Sequence, residues 1–185
     1  MIQSVRGALS RKGENFVVVD VGGVGYKVFL HKRSLETLPR PGSTLEFFCH
    51  LHIREDAMDL YGFTTEEELK LFELLNSVSG VGPKSALAVL EIAPLSDLIA
   101  AIHGARPDLL TRASGIGGKT AERIVLELKN RVQAIAPSSD LGVMESDADI
   151  VDALVGLGYR RDEVKIALGR IPKDIAHMEE RLKEA

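Results

Sequence analysis

The sequence predicts a multidomain β + α chain with three consecutive modules: a small β-barrel, an all-α domain of two helical hairpins, and a short three-helix module. Three observations lead to this prediction. Short β-rich runs separated by glycine and proline occupy the first third of the chain, and a Gly-X-Gly motif occurs twice in the middle. A stretch without clear periodicity then precedes the last helical segment.

Residues 1–63 are predicted to form the β-barrel. Their pattern is strand-like, with β-branched and aromatic residues concentrated in short runs between turns. Three such runs are residues 16–19, 26–29 and 45–48. Gly22, Gly23 and Gly25 are expected to supply the positive-φ positions of a hairpin turn. They do not form a dinucleotide-binding fingerprint, because no helical pattern follows them.

The barrel segment offers few candidates for metal or redox chemistry. Cys49 is the chain's single cysteine, so no intrachain disulfide and no cysteine-bound metal centre can form, and a buried thiol is expected. His50 and His52 alternate along a strand and could bind a metal together with Glu55. Two histidines without a clear third ligand favour ordinary strand positions instead. No metal site and no cofactor are predicted.

The strand-like pattern gives way to a helical pattern near residue 64, and a helical domain is predicted over residues 64–133. Thr65 and Glu68 have the spacing of a capping box, which marks the start of a helix. Apolar residues then recur at helical spacing. They are Leu69, Phe72 and Leu75.

The last part of the chain is predicted to be a linker, residues 134–146, followed by a small module, residues 147–185. Pro137, serines and glycine without periodicity indicate the linker. Glycines and Pro172 interrupt the helical pattern that follows, which indicates three short helices. The candidates for the core of this module are Leu154, Leu157, Val164 and Leu168.

Composition limits the function classes. The net charge of −4 is unusual for a nucleic-acid binder. However, residues 137–185 carry eleven acidic against seven basic side chains, whereas residues 80–131 carry seven basic against five acidic ones. The middle of the chain can therefore bind DNA if backbone amides do much of the phosphate recognition. No apolar run approaches the ~18 residues of a membrane span, so a cytoplasmic protein is expected.

An internal repeat is the most informative feature. Residues 79–86 recur as residues 114–121, with glycines, a lysine and a hydroxyl residue in the same places. Each copy follows one apolar helical stretch and precedes another, which predicts a tandem helix-hairpin-helix domain. The apolar residues assigned to its core are Leu87, Val89, Leu90, Ile124, Val125 and Leu128.

The residue types in both copies suit phosphate rather than base edges. Glycine turns expose backbone amides beside the start of a helix, where the helix dipole attracts anions, and lysine and hydroxyl groups add to this. The predicted DNA-binding residues are Gly80, Val81, Gly82, Lys84, Ser85, Gly115, Ile116, Gly117, Lys119, Thr120 and Arg123. Binding should be independent of sequence, and two hairpins could hold the two strands bordering one minor groove.

Other interpretations fit parts of this pattern. The Gly-X-Gly segments could merely close two αα-hairpins, and a scaffold protein could use them to bind only protein. A P-loop is excluded, because neither copy has four residues between its glycines or a strand before it. In a DNA glycosylase-lyase, Lys119 would form a Schiff base. The nearest candidate for the activating aspartate, Asp140, lies in the predicted linker.

Taken with residues 54–63, the hairpins resemble the RuvA family of bacterial Holliday-junction-binding proteins. The resemblance spans nearly the whole chain and includes residues 22–26, 120–129 and 153–159. It implies an N-terminal OB-fold barrel that builds the oligomer core, a middle domain that holds DNA, and a UBA-like C-terminal module that binds the RuvB ATPase. Candidate residues for that last contact are Leu154, Leu157, Gly158 and Tyr159.

The resemblance further implies a non-catalytic subunit of a branch-migration complex. A homotetramer would place one pair of hairpins on each arm of a four-way DNA junction, and two tetramers can enclose one junction. RuvB would hydrolyse ATP and move the duplexes, and the RuvC resolvase would act later. Glu55 and Asp56 would form an acidic pin at a hairpin tip facing the junction centre. A carboxylate ~4 Å from a phosphate costs about 1 kcal/mol even in water.

Two positions stand out against the family pattern. Gly118 lies where many members have a second lysine before Lys119, so one phosphate contact is expected to be weaker in this chain. Asp59 adds a further negative charge near the acidic pin. Its side chain could point elsewhere along the strand, and its role stays open.

Overall fold

The computed structural model describes residues 2–135 together with residues 151, 154, 155, 158–160, 164 and 167. The chain divides into two compact units, residues 1–135 and residues 136–185. Among the described residues, no single helix is long and apolar enough to cross a membrane. One pair of helices, Pro83–Ile92 and Leu95–His103, reaches that length and apolar content when taken together, but the two are bent by 104° relative to each other.

Five strands form a closed barrel in the first unit, in the order β1-β2-β3-β5-β4. They are β1 (Ser4–Lys12), β2 (Phe16–Val21), β3 (Val24–Phe29), β4 (Thr44–Ile53) and β5 (Met58–Phe63). Only β3 and β5 pair in parallel. Because side chains alternate across a strand, every second residue points into the barrel. The predicted barrel is confirmed, and its core contains Val5, Leu9, Val17, Val19, Val28, Leu30, Phe47, Cys49 and Leu60.

A short helix inside the barrel segment was not predicted from the strand-like pattern. Helix α1 (Lys32–Thr37) follows β3, and His31 caps it by accepting a hydrogen bond from the Ser34 amide. Histidine is not among the residues usually found at this position, so the sequence carries no ordinary helix-start signal here.

The turn between β2 and β3 contains two of the three glycines that were predicted to lie in it. Gly22 and Gly23 have φ angles of 62° and 91°, as predicted. Gly25 does not have a positive φ and pairs with Asp20 inside the sheet, so the prediction for Gly25 was wrong. A two-residue turn needs only two such positions. A side chain at Gly25 would lie 3.1 Å from Val18, which accounts for the glycine by close packing.

Five helices and a 3₁₀ turn make up the rest of this unit. They are α2 (Glu66–Ser77), α3 (Pro83–Ile92), α4 (Leu95–His103), α5 (Pro107–Leu110), α6 (Gly118–Leu128) and the turn Val132–Ala134. The predicted core positions of α2, Leu69, Phe72 and Leu75, are buried. The other predicted core residues are also buried, except Leu87, which is only half-buried.

Helix α2 begins where the capping box predicts. Thr65 accepts a hydrogen bond from the Glu68 amide. In a standard capping box, the Glu68 carboxylate would accept a hydrogen bond from the Thr65 amide. Here it accepts instead from the amide and hydroxyl of Thr64, at 3.1 and 2.9 Å.

The same carboxylate joins the helical part to the barrel. Its Oε1 atom lies 3.4 Å from Nε2 of the buried His31, which caps α1. Burial acts to raise the pKa of Glu68, but hydrogen bonds from His31 and Thr64 outweigh burial and leave the pKa below its ordinary value. The ionised form of Glu68 therefore stabilises the folded state.

In the second unit, Val151 and Val164 are buried, Leu154 is half-buried and Tyr159 is exposed. The predicted core residues Leu157 and Leu168 lie outside the described residues, as does the predicted linker beyond Ile135.

We predict that Glu68→Gln lowers the free energy of unfolding at pH 7. The folded-state pKa lies below the ordinary value of 4.5, so the carboxylate contributes fully above that pH. The contribution is lost as the pH falls through the folded pKa, and the difference between the variant and the parent should narrow there. Urea unfolding across this pH range measures it. Glu67→Gln, in the same first helical turn, is the matched control. If Glu68→Gln lowered the free energy of unfolding by the same amount at every pH, the account would be contradicted.

Candidate nucleic-acid interface

The two Gly-X-Gly hairpins have the same backbone geometry. Their first glycines, Gly80 and Gly115, have φ angles of 89° and 82°, in the left-handed region that favours glycine. Their second glycines, Gly82 and Gly117, are extended, with φ angles of −90° and −87°. The repeat in the sequence is therefore a repeat in structure.

Each second glycine stands immediately before a helix that lacks a side-chain cap. Gly82 precedes α3 and Gly117 precedes α6, and neither helix receives a capping hydrogen bond from a side chain. Amides in the first turn of a helix have no acceptor within the helix. Helix α3 begins with Pro83, which has no amide hydrogen, whereas α6 begins with Gly118. The two helices therefore present free amides beside an exposed glycine.

The residue between the glycines supports the hairpin from inside. Val81 and Ile116 are buried, and their amides donate to the carbonyls of Val78 and Ala113. DNA binding by these two residues stays a prediction; in the structure their side chains pack into the core and their amides donate within the hairpin. Their part in the hairpin is to fix its shape.

The cationic side chains of the motif are available for an anion. Lys84 and Lys119 are exposed, and Ser85 and Thr120 are half-buried beside them. Within the described residues, no carboxylate lies within ion-pair distance of either lysine. Their positive charge adds to that of the helix N-termini.

The two hairpins contact each other. Arg123 in α6 donates from Nη1 to the carbonyl of Ser79, before the first hairpin, at 2.9 Å. A side chain on Gly115 would lie only 2.7 Å from the Ser85 hydroxyl, so the second hairpin packs closely against α3. The sequence predicts Arg123 as a DNA contact, and the structure shows that one of its nitrogens braces the neighbouring hairpin. No local pattern could predict a bond between residues this far apart in the chain.

Glu55 and Asp56 lie at the tip of the β4–β5 hairpin. The Arg54 amide donates to the Ala57 carbonyl at 2.8 Å and closes the turn, which leaves both acids exposed. The Asp59 side chain points toward Arg54, and its carboxylate lies 3.2 Å from the Arg54 guanidinium. Asp59 is therefore neutralised in place, whereas Glu55 and Asp56 have no cation within ion-pair distance among the described residues.

The remaining candidates for chemistry do not meet at one site. Cys49 is buried, and burial raises its pKa to about 12, so it is not a thiolate at neutral pH. His50 lies 3.2 Å from Glu73 and packs against Phe72. No group of three or more potential metal ligands occurs in the described part of the chain. Asp140, weighed above as a partner for Lys119, lies outside that part.

The fold and the hairpins together define a DNA-binding protein of the tandem helix-hairpin-helix class, with an OB-type barrel ahead of the helical domain. Residues 1–62 match the family described as RuvA N terminal domain, and residues 72–130 match the SAM-like Helix-hairpin-helix tandem.

Curated relatives extend the match over the full chain. The proteins named "Holliday junction branch migration complex subunit RuvA" from Caldanaerobacter subterraneus and Herpetosiphon aurantiacus are 39% and 42% identical to it. The alignments cover 100% of this chain and 97% and 96% of the relatives. The relative of the same name from Thermoanaerobacter pseudethanolicus is 40% identical, with coverage of 100% and 97%. The chain belongs to the RuvA family.

Alanine substitutions should separate the two roles of glycine in the hairpins. Gly115→Ala places a side chain at a positive φ and against Ser85, and should lower the free energy of unfolding by about 1–3 kcal/mol. Gly117→Ala has ordinary φ and open space around its Cβ, and should lower it by less than about 1 kcal/mol. Its methyl group should instead weaken DNA binding.

Urea unfolding and a gel-shift titration on linear duplex measure these two effects. The account is contradicted if Gly117→Ala binds duplex as tightly as the parent, or if both variants lose the same stability.

Gly118 lies where many members of the family have a second lysine, and the effect of this difference can be tested. Its Cβ position meets no atom within 4 Å, so a lysine fits there without strain. Gly118→Lys should raise affinity for duplex and steepen the dependence of log K on log salt by about 0.9, as expected for one further phosphate contact. Gly118→Gln, of similar length but uncharged, is the control. Equal salt slopes for the two variants would show that position 118 does not face phosphate.

Proposed function

We propose that this chain is the non-catalytic DNA-binding subunit of a branch-migration complex, which recognises four-way DNA junctions without sequence specificity and holds them open. The observation that carries the proposal is the pair of uncapped helix N-termini behind Gly82 and Gly117, each with a lysine and a hydroxyl group beside it. Such a pair is suited to two phosphates on neighbouring strands.

Absence of sequence preference follows from the type of group that is exposed. Backbone amides and lysine ammonium groups bind phosphate oxygens, which are the same at every base pair. Among the predicted contact residues, Gly80, Gly82, Gly115 and Gly117 have no side chain that could reach a base edge, and the hydroxyl groups of Ser85 and Thr120 do not discriminate between bases. Affinity should then depend on salt and on the shape of the DNA.

Preference for a junction is assigned to the acidic pin, Glu55 and Asp56. In the homotetramer that we propose, four barrels with closed symmetry bring eight such carboxylates to the centre. A continuous duplex would force phosphates past these charges. The strands of a junction separate at the crossover and pass around them. Two tetramers on opposite faces would enclose the DNA completely.

The motor function belongs to a partner in this proposal. The relatives are named as subunits of a Holliday junction branch migration complex, which supports an accessory role. We place this role in homologous recombination and DNA repair in the cytoplasm. We assign ATP hydrolysis to the RuvB ATPase, recruited by residues 147–185 with Leu154, Leu157, Gly158 and Tyr159 as candidate contacts. The RuvC resolvase would act on the same junction.

The test is a gel-shift titration of a synthetic four-way junction and a linear duplex of the same sequence, at two salt concentrations and without an ATPase. The parent protein should prefer the junction. Glu55→Gln with Asp56→Gln should raise duplex affinity roughly fivefold for each removed carboxylate that lies about 4 Å from a phosphate of the bound duplex, because each such carboxylate opposes the phosphate by about 1 kcal/mol.

Glu14→Gln is the matched control, because this exposed carboxylate lies in the β1–β2 turn, at the end of the barrel away from the pin. It should leave the preference between junction and duplex nearly unchanged. Equal binding of both DNAs by the parent would contradict the proposed function, and an unchanged preference in the Glu55 and Asp56 variant would contradict the role of the pin.

A further inference from the structure

The start of helix α1 holds a buried polar cluster. Apart from Tyr61 and Cys49, the only polar residues buried in the described part of the chain are His31, which caps this helix, and Ser34 in its first turn. Each is 4% exposed. A buried polar network whose members are hydrogen-bonded specifies one arrangement of the elements that it joins. His31 is therefore the point at which the position of α1 is specified.

The two ring nitrogens of His31 face different elements. Nδ1 accepts a hydrogen bond from the Ser34 amide at 3.3 Å, so the proton of the neutral ring is on Nε2. Nε2 lies 2.9 Å from the Ser34 hydroxyl oxygen and 3.4 Å from Oε1 of Glu68. One side of the ring thus caps α1, and the other side contacts the first turn of α2.

Glu68 is also held from the barrel side. Its other oxygen, Oε2, accepts hydrogen bonds from the amide and hydroxyl of Thr64, which directly follows strand β5. Strand β5 begins below the acidic pin. The Glu68 carboxylate therefore ties the first turn of α2 to two neighbours, α1 and the end of β5. Hydrogen bonds are directional, so these contacts fix an orientation as well as a distance.

Phe72 attaches the same helix to the barrel at a second point. Its ring centroid lies 5.3, 5.4 and 4.8 Å from those of His50, Tyr61 and Phe63, on β4 and β5. Hydrophobic contact is not directional, so on its own it leaves a helix free to tilt. The carboxylate of Glu68, one turn earlier on the same face, removes that freedom. The two contacts together set the direction of α2, whose far end leads to the first Gly-X-Gly hairpin.

Other contacts near α1 are weaker. A pocket of about 240 Å³ opens between α1 and the helices α3 and α4, so these elements are not closely packed there. The ion pairs Lys32–Glu91 and His50–Glu73, at 3.5 and 3.2 Å, have partly exposed members. Exposed ion pairs contribute little. The contact between His31 and Glu68 is therefore the main polar link between α1 and the helical part.

We propose that His31 is a positioning residue for junction recognition, which acts through Glu68 to hold the first hairpin in a fixed place relative to the acidic pin. The inference rests on the proposed function. In that function hairpin and pin meet the same DNA, the hairpin by binding phosphates and the pin by repelling them.

The physical effect follows from distance. If α2 could tilt, a continuous duplex held by the hairpin could move away from Glu55 and Asp56 while it stays bound. The repulsion between two charges falls as their separation grows. The duplex would then bind more tightly, and the preference for a junction would weaken.

Substitutions at His31 separate the cap of α1 from the link to α2. Asparagine and serine are preferred capping residues, so His31→Asn and His31→Ser keep an acceptor for the Ser34 amide, but both side chains are too short to reach Glu68. Glutamine is long enough to bring an amide donor to Glu68 and is a poor cap. His31→Gln therefore keeps the link.

The measurement is the ratio of the affinities of the full chain for a four-way junction and for a linear duplex, by gel shift. His31→Asn and His31→Ser should lower this ratio roughly twofold for each pin carboxylate, as expected if its distance to a phosphate doubles from about 4 Å. His31→Gln should keep the ratio of the parent. An unfolded fraction lowers both affinities equally and cancels in the ratio, so lost stability alone does not change it.

Two controls test the route through the pin. Lys32→Gln removes an exposed ion pair of the same helix and should keep the ratio. In the background of Glu55→Gln with Asp56→Gln, His31→Asn should cause no further fall, because the repulsion on which it acts is already gone.

An unchanged ratio in His31→Asn or His31→Ser would overturn the inference, and would leave the proposed function intact where the parent prefers the junction. An equal fall in His31→Gln or Lys32→Gln, or a further fall in the background without the pin charges, would overturn it as well. A parent without junction preference would defeat the proposed function itself, and the inference with it.

Discussion

The free amides at the start of a helix are the constraint on which the rest of this structure depends. The first turn of an α-helix cannot satisfy its own amides, and most proteins meet that need with a capping side chain. Helices α3 and α6 are each preceded by a glycine, which has no side chain to cap them, so their free amides stay available to an outside anion. The positive φ of the preceding glycine turns the chain back so that the helix end is exposed.

The surrounding structure holds these two helix ends in a fixed relation. Val81 and Ile116 anchor the hairpins in the core, and Arg123 joins α6 to the carbonyl before the first hairpin. At the other end of α2, Glu68 links the helical part to His31 and α1. In the proposed function, a rigid scaffold of this kind holds two weak phosphate sites so that one duplex engages both, and the combined affinity exceeds that of either site alone.

Much of the fold could be predicted from the sequence, because its signals are local. The alternation of β2 and β3, the capping residue Thr65 and the repeated Gly-X-Gly each act within a few residues. Helix α1 was missed because the residue that caps it is a histidine. Gly25 was assigned to the turn by mistake, because a glycine is needed there for close packing against Val18 on the neighbouring strand. Both errors arise where a tertiary contact decides the local structure.

The candidate site was predictable in its residue types but not in its internal contacts. Repetition of the motif identifies Lys84 and Lys119, and resemblance to a family identifies Glu55 and Asp56. Spacing along the chain does not show that the side chains of Val81 and Ile116 point inward. It also does not show the Arg123 brace or the pairing of Asp59 with Arg54.

The central claim is that paired helix ends hold DNA through two phosphates across one minor groove. The most direct measurement is the affinity for a four-way junction in which each phosphate of one arm is replaced in turn by an uncharged methylphosphonate. The account predicts a loss confined to a few adjacent positions on each of the two strands, at the same places when the base sequence is changed. Affinity that is insensitive to every replacement, or sensitive positions that move with the sequence, would contradict it.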